Sequence, residues 1–215
     1  MSGIFITQRG QSMKKNQLSR KILLTSSLIL TAFLSANLQG CVILAAAGAG
    51  AATTAVVVHD KRPLQTIADD QNIELTANHK ISENPNWSQN SHIVTVGFNH
   101  AVLLIGQVPD QNTRSQIESM VQSLPKVTRI YNQLEISSPT TTEVRANDTW
   151  ITTKVKSEML AAKDLHSIEI KVVTENGTVY LLGMVNHHQA QLAEDVARRV
   201  SGVNRVVTLF EYTMV

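Results

Sequence analysis

The chain has 215 residues, 43% of them hydrophobic and 17% charged, with a formal net charge of +2. That length leaves room for two small domains. Its one cysteine, Cys41, excludes an internal disulfide framework and argues against a cysteine-based metal site.

Lys14, Lys15, Arg20 and Lys21 precede an apolar run from Ile22 to Leu34, and small residues then lead to Leu38-Gln39-Gly40-Cys41. A basic segment, a short apolar stretch and a small residue before the cut read as a secretory signal over residues 1–40. The run falls short of the roughly 20 apolar residues of a membrane-crossing helix. Met13 is an alternative start. The cleavage region resembles the lipobox of bacterial lipoproteins, which makes Cys41 the acylated residue; Gln39 is its less usual feature. An unpaired cysteine in an oxidising compartment is a liability unless something consumes it, and a thioether to lipid does so. Val42 stands where an Asp would imply inner-membrane retention, so the resemblance implies the outer membrane. Removing residues 1–40 takes five basic residues and no acidic one. That leaves 14 basic against 17 acidic residues, a formal net of −3. A nucleic-acid partner loses its electrostatic footing.

Residues 41–66 begin as a run of Ala, Val, Gly and Thr and read as a lipidated tether. A first module follows over 67–137. Asp69 or Asp70 is the expected cap of a helix carrying Ile73, Ala77 and Ile81 on one face. Asn84-Pro85-Asn86 reads as a loop. Strands are expected from His92 to Phe98 and from Ala101 to Val108. Asp110 opens a second helix with Ile117, Met120, Val121 and Leu124 in period, and Val127 to Ile136 reads as a third strand.

Residues 138–147, rich in Ser, Thr and Pro at their start, read as a linker. The pattern then recurs over 148–215. IVTVGFNHAVLLIGQV from Ile93 returns without a gap as IKVVTENGTVYLLGMV from Ile170. Asp148 is the expected cap of a helix with Ile151, Val155 and Met159 in period. Strands run from about Ile168 to Thr174 and from Thr178 to Val185 around Asn176-Gly177, a pair suited to a type I′ turn. Asn186 caps a further helix, and Val203 to Thr213 is the last strand. Each module is therefore α-β-β-α-β, an α+β fold with two helices on one face of a three-stranded mixed sheet. A module of this size is marginal alone, so contact between the two would help it.

This order, with Gly106 and Gly183 closing the second strands, resembles the BON domain of bacterial envelope proteins. Two such domains behind a lipobox resemble the dual-BON outer-membrane lipoproteins. Asn147 to Val155, Thr174 to Gly177 and Arg199 to Val203 carry the likeness most strongly, and it weakens between Val42 and Asn90. The resemblance implies a periplasm-facing protein that binds an anionic phospholipid membrane and supports envelope integrity, with enrichment at division sites. Gly106 and Gly183 are expected to permit close packing of helix on strand.

Catalytic and metal patterns are missing from the sequence. His187 and His188 are adjacent at a helix start and point about 100° apart, so they do not chelate as an i, i+4 pair. No phosphate-binding glycine loop or nucleophile elbow occurs. Non-enzymatic action without cofactor or metal is the expectation.

The two first helices differ. Opposite the core face of Ile151, Val155 and Met159, an arc of Trp150, Thr153, Ser157 and Leu160 is bordered by Lys154 and Lys156. Trp favours a lipid headgroup layer and lysine stems snorkel there. The resemblance assigns lipid contact to this same helix. In the first module these positions hold Asn72, Leu75, His79 and Ser82, with Thr76 and Asn78 in place of the lysines. The expected membrane surface is thus present in one copy only. The competing reading is a periplasmic adaptor or chaperone for the outer-membrane protein assembly machinery, using exposed strand edges or the Trp patch. Packing into an oligomeric envelope complex is a third.

Overall fold

The computed structural model describes residues 60–213, and the expected signal, Met13, Cys41 and most of the tether lie outside them. The elements are α1 (Leu64–Glu83), α2 (Pro85–Ser88), β1 (His92–Phe98), β2 (Ala101–Val108), α3 (Gln111–Gln122) and β3 (Arg129–Ile136). The second set is α4 (Thr142–Ala161), a 3-10 turn (Ser167–Glu169), β4 (Ile170–Glu175), β5 (Thr178–Val185), α5 (His187–Arg199) and β6 (Arg205–Tyr212). Each module holds one mixed sheet. Within it β1 pairs antiparallel with β2 and β3 runs parallel to β2; β4, β5 and β6 repeat that order.

Period selects the faces. In α1 the residues Ile73, Ala77 and Ile81 turn inward, and in α4 Ile151, Val155 and Met159 do the same. They meet the helix-facing side of each sheet and the inner faces of α3 and α5 in two separate cores. Asp110 caps α3 by accepting from Thr113 N at 2.7 Å, and Asn186 caps α5 by accepting from Gln189 N at 2.9 Å. Both are capped as the sequence indicates.

Asp69, Asp70 and Asp148 are not caps. All three are buried within helices that start five or six residues earlier. Asp70 accepts from Asn99 N and His100 N at 2.7 and 2.8 Å, and Asp148 accepts from Asn176 N and Gly177 N at 2.8 and 2.9 Å. Each carboxylate therefore clamps the hairpin turn of its own module. Both turns need positive φ at both central residues (Asn99 50°, His100 64°; Asn176 49°, Gly177 70°), as type I′ requires. His100 occupies a position that favours Gly, and the bond to Asp70 offsets that strain. The Thr141 side chain accepts from Val144 N at 3.4 Å and starts α4 at Thr142, so helix takes over the second half of the expected linker. Asn84 likewise caps the single turn of α2 where a loop is expected.

The sheets meet back to back. Val96, Phe98, Leu103 and Ile105 of the first sheet pack with Tyr180 and Leu182 of the second in a third core, and the helices lie outside. β2 is buried along its whole length for this reason. Each of these large side chains contributes about 1.5–3 kcal/mol of burial. The marginal size of one module is thus relieved by its copy. Polar pairs pin the seam: Lys171 Nζ reaches Glu74 Oε1 at 2.6 Å, and Asn99 Nδ2 donates to Glu211 Oε2 at 2.6 Å. Buried Gln107 donates to Glu175 Oε1 at 2.9 Å, and His92 Nε2 lies 3.4 Å from Glu175 Oε2.

Gly106 and Gly183 serve strand packing rather than helix packing. A Cβ on Gly106, which has φ +114°, would lie 2.0 Å from the His92 carbonyl of β1. One on Gly183 would lie 2.8 Å from the Glu169 carbonyl. The glycine that lets a helix approach is Gly97, where a Cβ would meet the Asp70 carbonyl at 2.8 Å.

Candidate functional site

The face of α4 opposite its core stripe is open. Trp150 is 60% exposed and Leu160 72%, and Thr153, Lys156 and Ser157 are exposed with them. Trp150, Thr153, Lys154 and Ser157 line one wall of an open groove of about 590 Å³; Val196, Arg199 and Ser201 at the end of α5 form the other. Lys156 and Leu160 lie outside the groove, farther round the helix. The expected arc is therefore divided between a groove and an outer rim.

The cations differ in their freedom. Lys154 donates through Nζ to the Ser201 carbonyl, in the turn that follows α5. No described residue pairs with Lys156. Arg199, absent from the residues expected from α4, is exposed at the groove with no partner among the described residues. Its signal was legible in part: a basic last turn on α5, inside a segment already matched to the family. Fold geometry brings it opposite Trp150.

The first module is the contrast. Its corresponding groove is about 160 Å³ and is lined by Asp69, Asn72, Thr76 and Lys126, with Leu124 and Ile73 beneath. The one cation there is neutralised, because Lys126 Nζ donates to Asp69 Oδ1 at 2.7 Å. Hydrogen bonds from Lys126, and then Gln65 and His100, hold the Asp69 carboxyl down at about 2 against the desolvation that opposes them. Ser123 stands where the second module has Arg199, taking the offset set by Val127 and Val203.

Of the histidines weighed in the sequence, His187 opens α5 and stacks on Tyr212, ring centroids 4.0 Å apart. Among the described residues, no three His, Cys, Asp or Glu side chains gather as a metal site requires. None of the described helices is long and apolar enough to cross a membrane.

The BON domain pattern matches residues 69–138 and again 147–214. The chain belongs to the BON-domain family. Both BON domains correspond to the two α-β-β-α-β modules. Outer membrane lipoprotein DolP of Haemophilus influenzae is 35% identical over 175 residues, 81% of this chain and 90% of that protein. The 21 kDa hemolysin of Actinobacillus pleuropneumoniae is 35% identical over 71% of this chain and 79% of its own length. Osmotically-inducible protein Y of Escherichia coli is 31% identical over 49% of this chain and 54% of its own. The match to the Haemophilus protein, at 175 residues, is longer than a single BON domain.

Proposed function

We propose that this dual-BON protein is an outer-membrane lipoprotein, held through Cys41 and facing the periplasm, that binds anionic phospholipid with the α4 face and supports envelope integrity. The observation that carries the reading is an exposed Trp150 across a groove from Arg199, which has no partner among the described residues, in one BON domain and not in the other. The lipobox at Cys41 and the likeness to a relative named as an outer membrane lipoprotein support the location. Placement at division sites rests on the family resemblance alone.

The physics is that of two weak contacts made strong by linkage. From Cys41 to Asp60 the extended chain spans at most about 65 Å, so a lipid anchor by itself leaves the orientation of the domains open. A second contact then acts at high effective concentration and fixes it. Trp150 supplies an amphipathic ring for the headgroup layer, and each cation near an anionic surface contributes ~1 kcal/mol.

Flotation with vesicles tests this, using a full-length Cys41→Ser variant so that no lipid anchor contributes. It should float with phosphatidylglycerol-containing vesicles, float less as salt rises, and fail to float with phosphatidylcholine alone. Trp150→Glu combined with Arg199→Glu should weaken flotation at least tenfold, and Leu75→Glu in the first domain should not. Lys154→Glu is a poorer test, because its ammonium also holds the Ser201 carbonyl. Unchanged binding by the double variant would remove α4 from the membrane.

A further inference from the structure

The outer edge of β1 is closed at one end and open at the other. The register from Phe98 opposite Ala101 to His92 opposite Gln107 turns the backbone of Phe98, Val96, Val94 and His92 toward β2. The backbone groups of Gly97, Thr95 and Ile93 face away. At Gly97 these are occupied: its N–H donates to Glu74 Oε1 at 2.7 Å and its carbonyl accepts from Lys171 Nζ at 3.2 Å. A charged pair over a strand edge is a barrier to a further strand. At Thr95 and Ile93 no described residue bonds the outward N–H or C=O.

Beside this open stretch lies a groove of about 490 Å³ between β1, the end of α1 and α2. Ile81 and Ile93 line it, and Trp87 stands against it with its indole N–H donating to Gln116 Oε1 at 3.2 Å. His92 is the one titratable side chain there; Asn78 and Ser82 complete the rim. Two hydroxyls in this lining, Ser91 Oγ and Thr95 Oγ1, are buried without a partner among the described residues. In the second BON domain the position of Gly97 is held by Thr174, whose hydroxyl accepts from Thr152 Oγ1 at 2.8 Å, and a 3-10 turn, Ser167–Glu169, stands between helix and strand in place of α2.

We infer that this groove binds a short extended peptide segment of another protein, added to β1 as a further strand. The outward groups offer donor and acceptor together at the two-residue repeat of a strand, which a polypeptide backbone matches. A phospholipid headgroup phosphate offers acceptors only, and no ammonium or guanidinium lines the groove to draw it in. The side chains turned toward Ile81 and Trp87 should be uncharged, to match the apolar surface those two residues present. The Glu74–Lys171 pair ends the register, which limits the paired segment to about four residues. This site shares no residue with the α4 face and stands or falls apart from it.

Hydrogen exchange at single amides of the full-length protein in detergent micelles tests the inference, with the acetylated, amidated peptide SVTVTVS as probe at millimolar concentration. Strand addition reads backbone, so this sequence should suffice. The Ile93 and Thr95 amides should exchange fast in the free protein and slow at least tenfold with the peptide, with the already paired Val94 and Val96 unchanged. A peptide N-methylated at every amide should give no slowing. Asn78→Arg, an exposed substitution over the groove, should keep the melting temperature and lose the effect. Three results would overturn the inference: no slowing with SVTVTVS, slowing that survives N-methylation or Asn78→Arg, or the two amides already protected without peptide, which would mean this chain fills its own edge.

Discussion

Three aspartates show how far a local rule carries at the residue scale. Asp is a favoured helix cap, and the apolar period begins just after Asp69–Asp70 and Asp148, so capping is the natural reading. The competing use lies about 30 residues away. Asp70 and Asp148 each accept two N–H groups of a hairpin turn. Nothing within a helical window reports such a contact. Asp69 adds a pH signature. Its carboxyl is held at about 2 by Lys126 first, against an ordinary value of 3.8, so folding is favoured by its charged form. That contribution is complete above about pH 4 and is lost as the pH falls toward 2. Asp69→Asn should therefore flatten the decline of stability over this window, as read by urea unfolding at a series of pH values. An unchanged acid limb would mean that the Lys126 contact contributes nothing.

Among the elements, the second strand of each module was the easiest to read and the easiest to misassign in detail. The 16-residue repeat places both hairpins, and their four strands fall within two residues of expectation. Gly106 and Gly183 stand out at matching positions, yet their neighbour is the backbone of the preceding strand. The two are also unequal. Gly106 combines φ +114° with a Cβ position 2.0 Å from a carbonyl, and Gly183 has only the milder 2.8 Å approach. Gly106→Ala should lower stability by at least about 2 kcal/mol, and Gly183→Ala by less, in thermal or denaturant melts. The α4 face was legible because period and composition are local. Its groove was not, because Arg199 and Ser201 come from α5 and are brought there only by the packing of the two helices.

For the whole molecule, the main result is that the two BON domains share a core. Continuous apolar runs such as AVLLIGQV carried a hint, since a strand buried on both faces loses its alternation. What covers the second face could not be read, because no local pattern names a partner sheet. Trp87 lies in the first domain and Trp150 in the second, so Trp87→Phe and Trp150→Phe leave one fluorescent probe in each. The two variants should unfold at one denaturant midpoint. Leu103→Ala, in the shared core, should cost about 2–5 kcal/mol and move both probes together. Two separated transitions would show that the sheets do not couple.

The sequence by itself determined the order of the main helices and strands, the duplication and the asymmetry of the two first helices. Each of these follows from spacing within a turn or a strand, or from comparing one copy with the other. Tertiary structure decided what was buried by what. It turned supposed caps into clamps on the hairpin turns, set Arg199 across from Trp150, tied Lys154 to a carbonyl and laid the sheets back to back. It also left one stretch of β1 without a partner among the described residues. Those outcomes depend on contacts between residues far apart in the chain, and only the folded molecule brings them together.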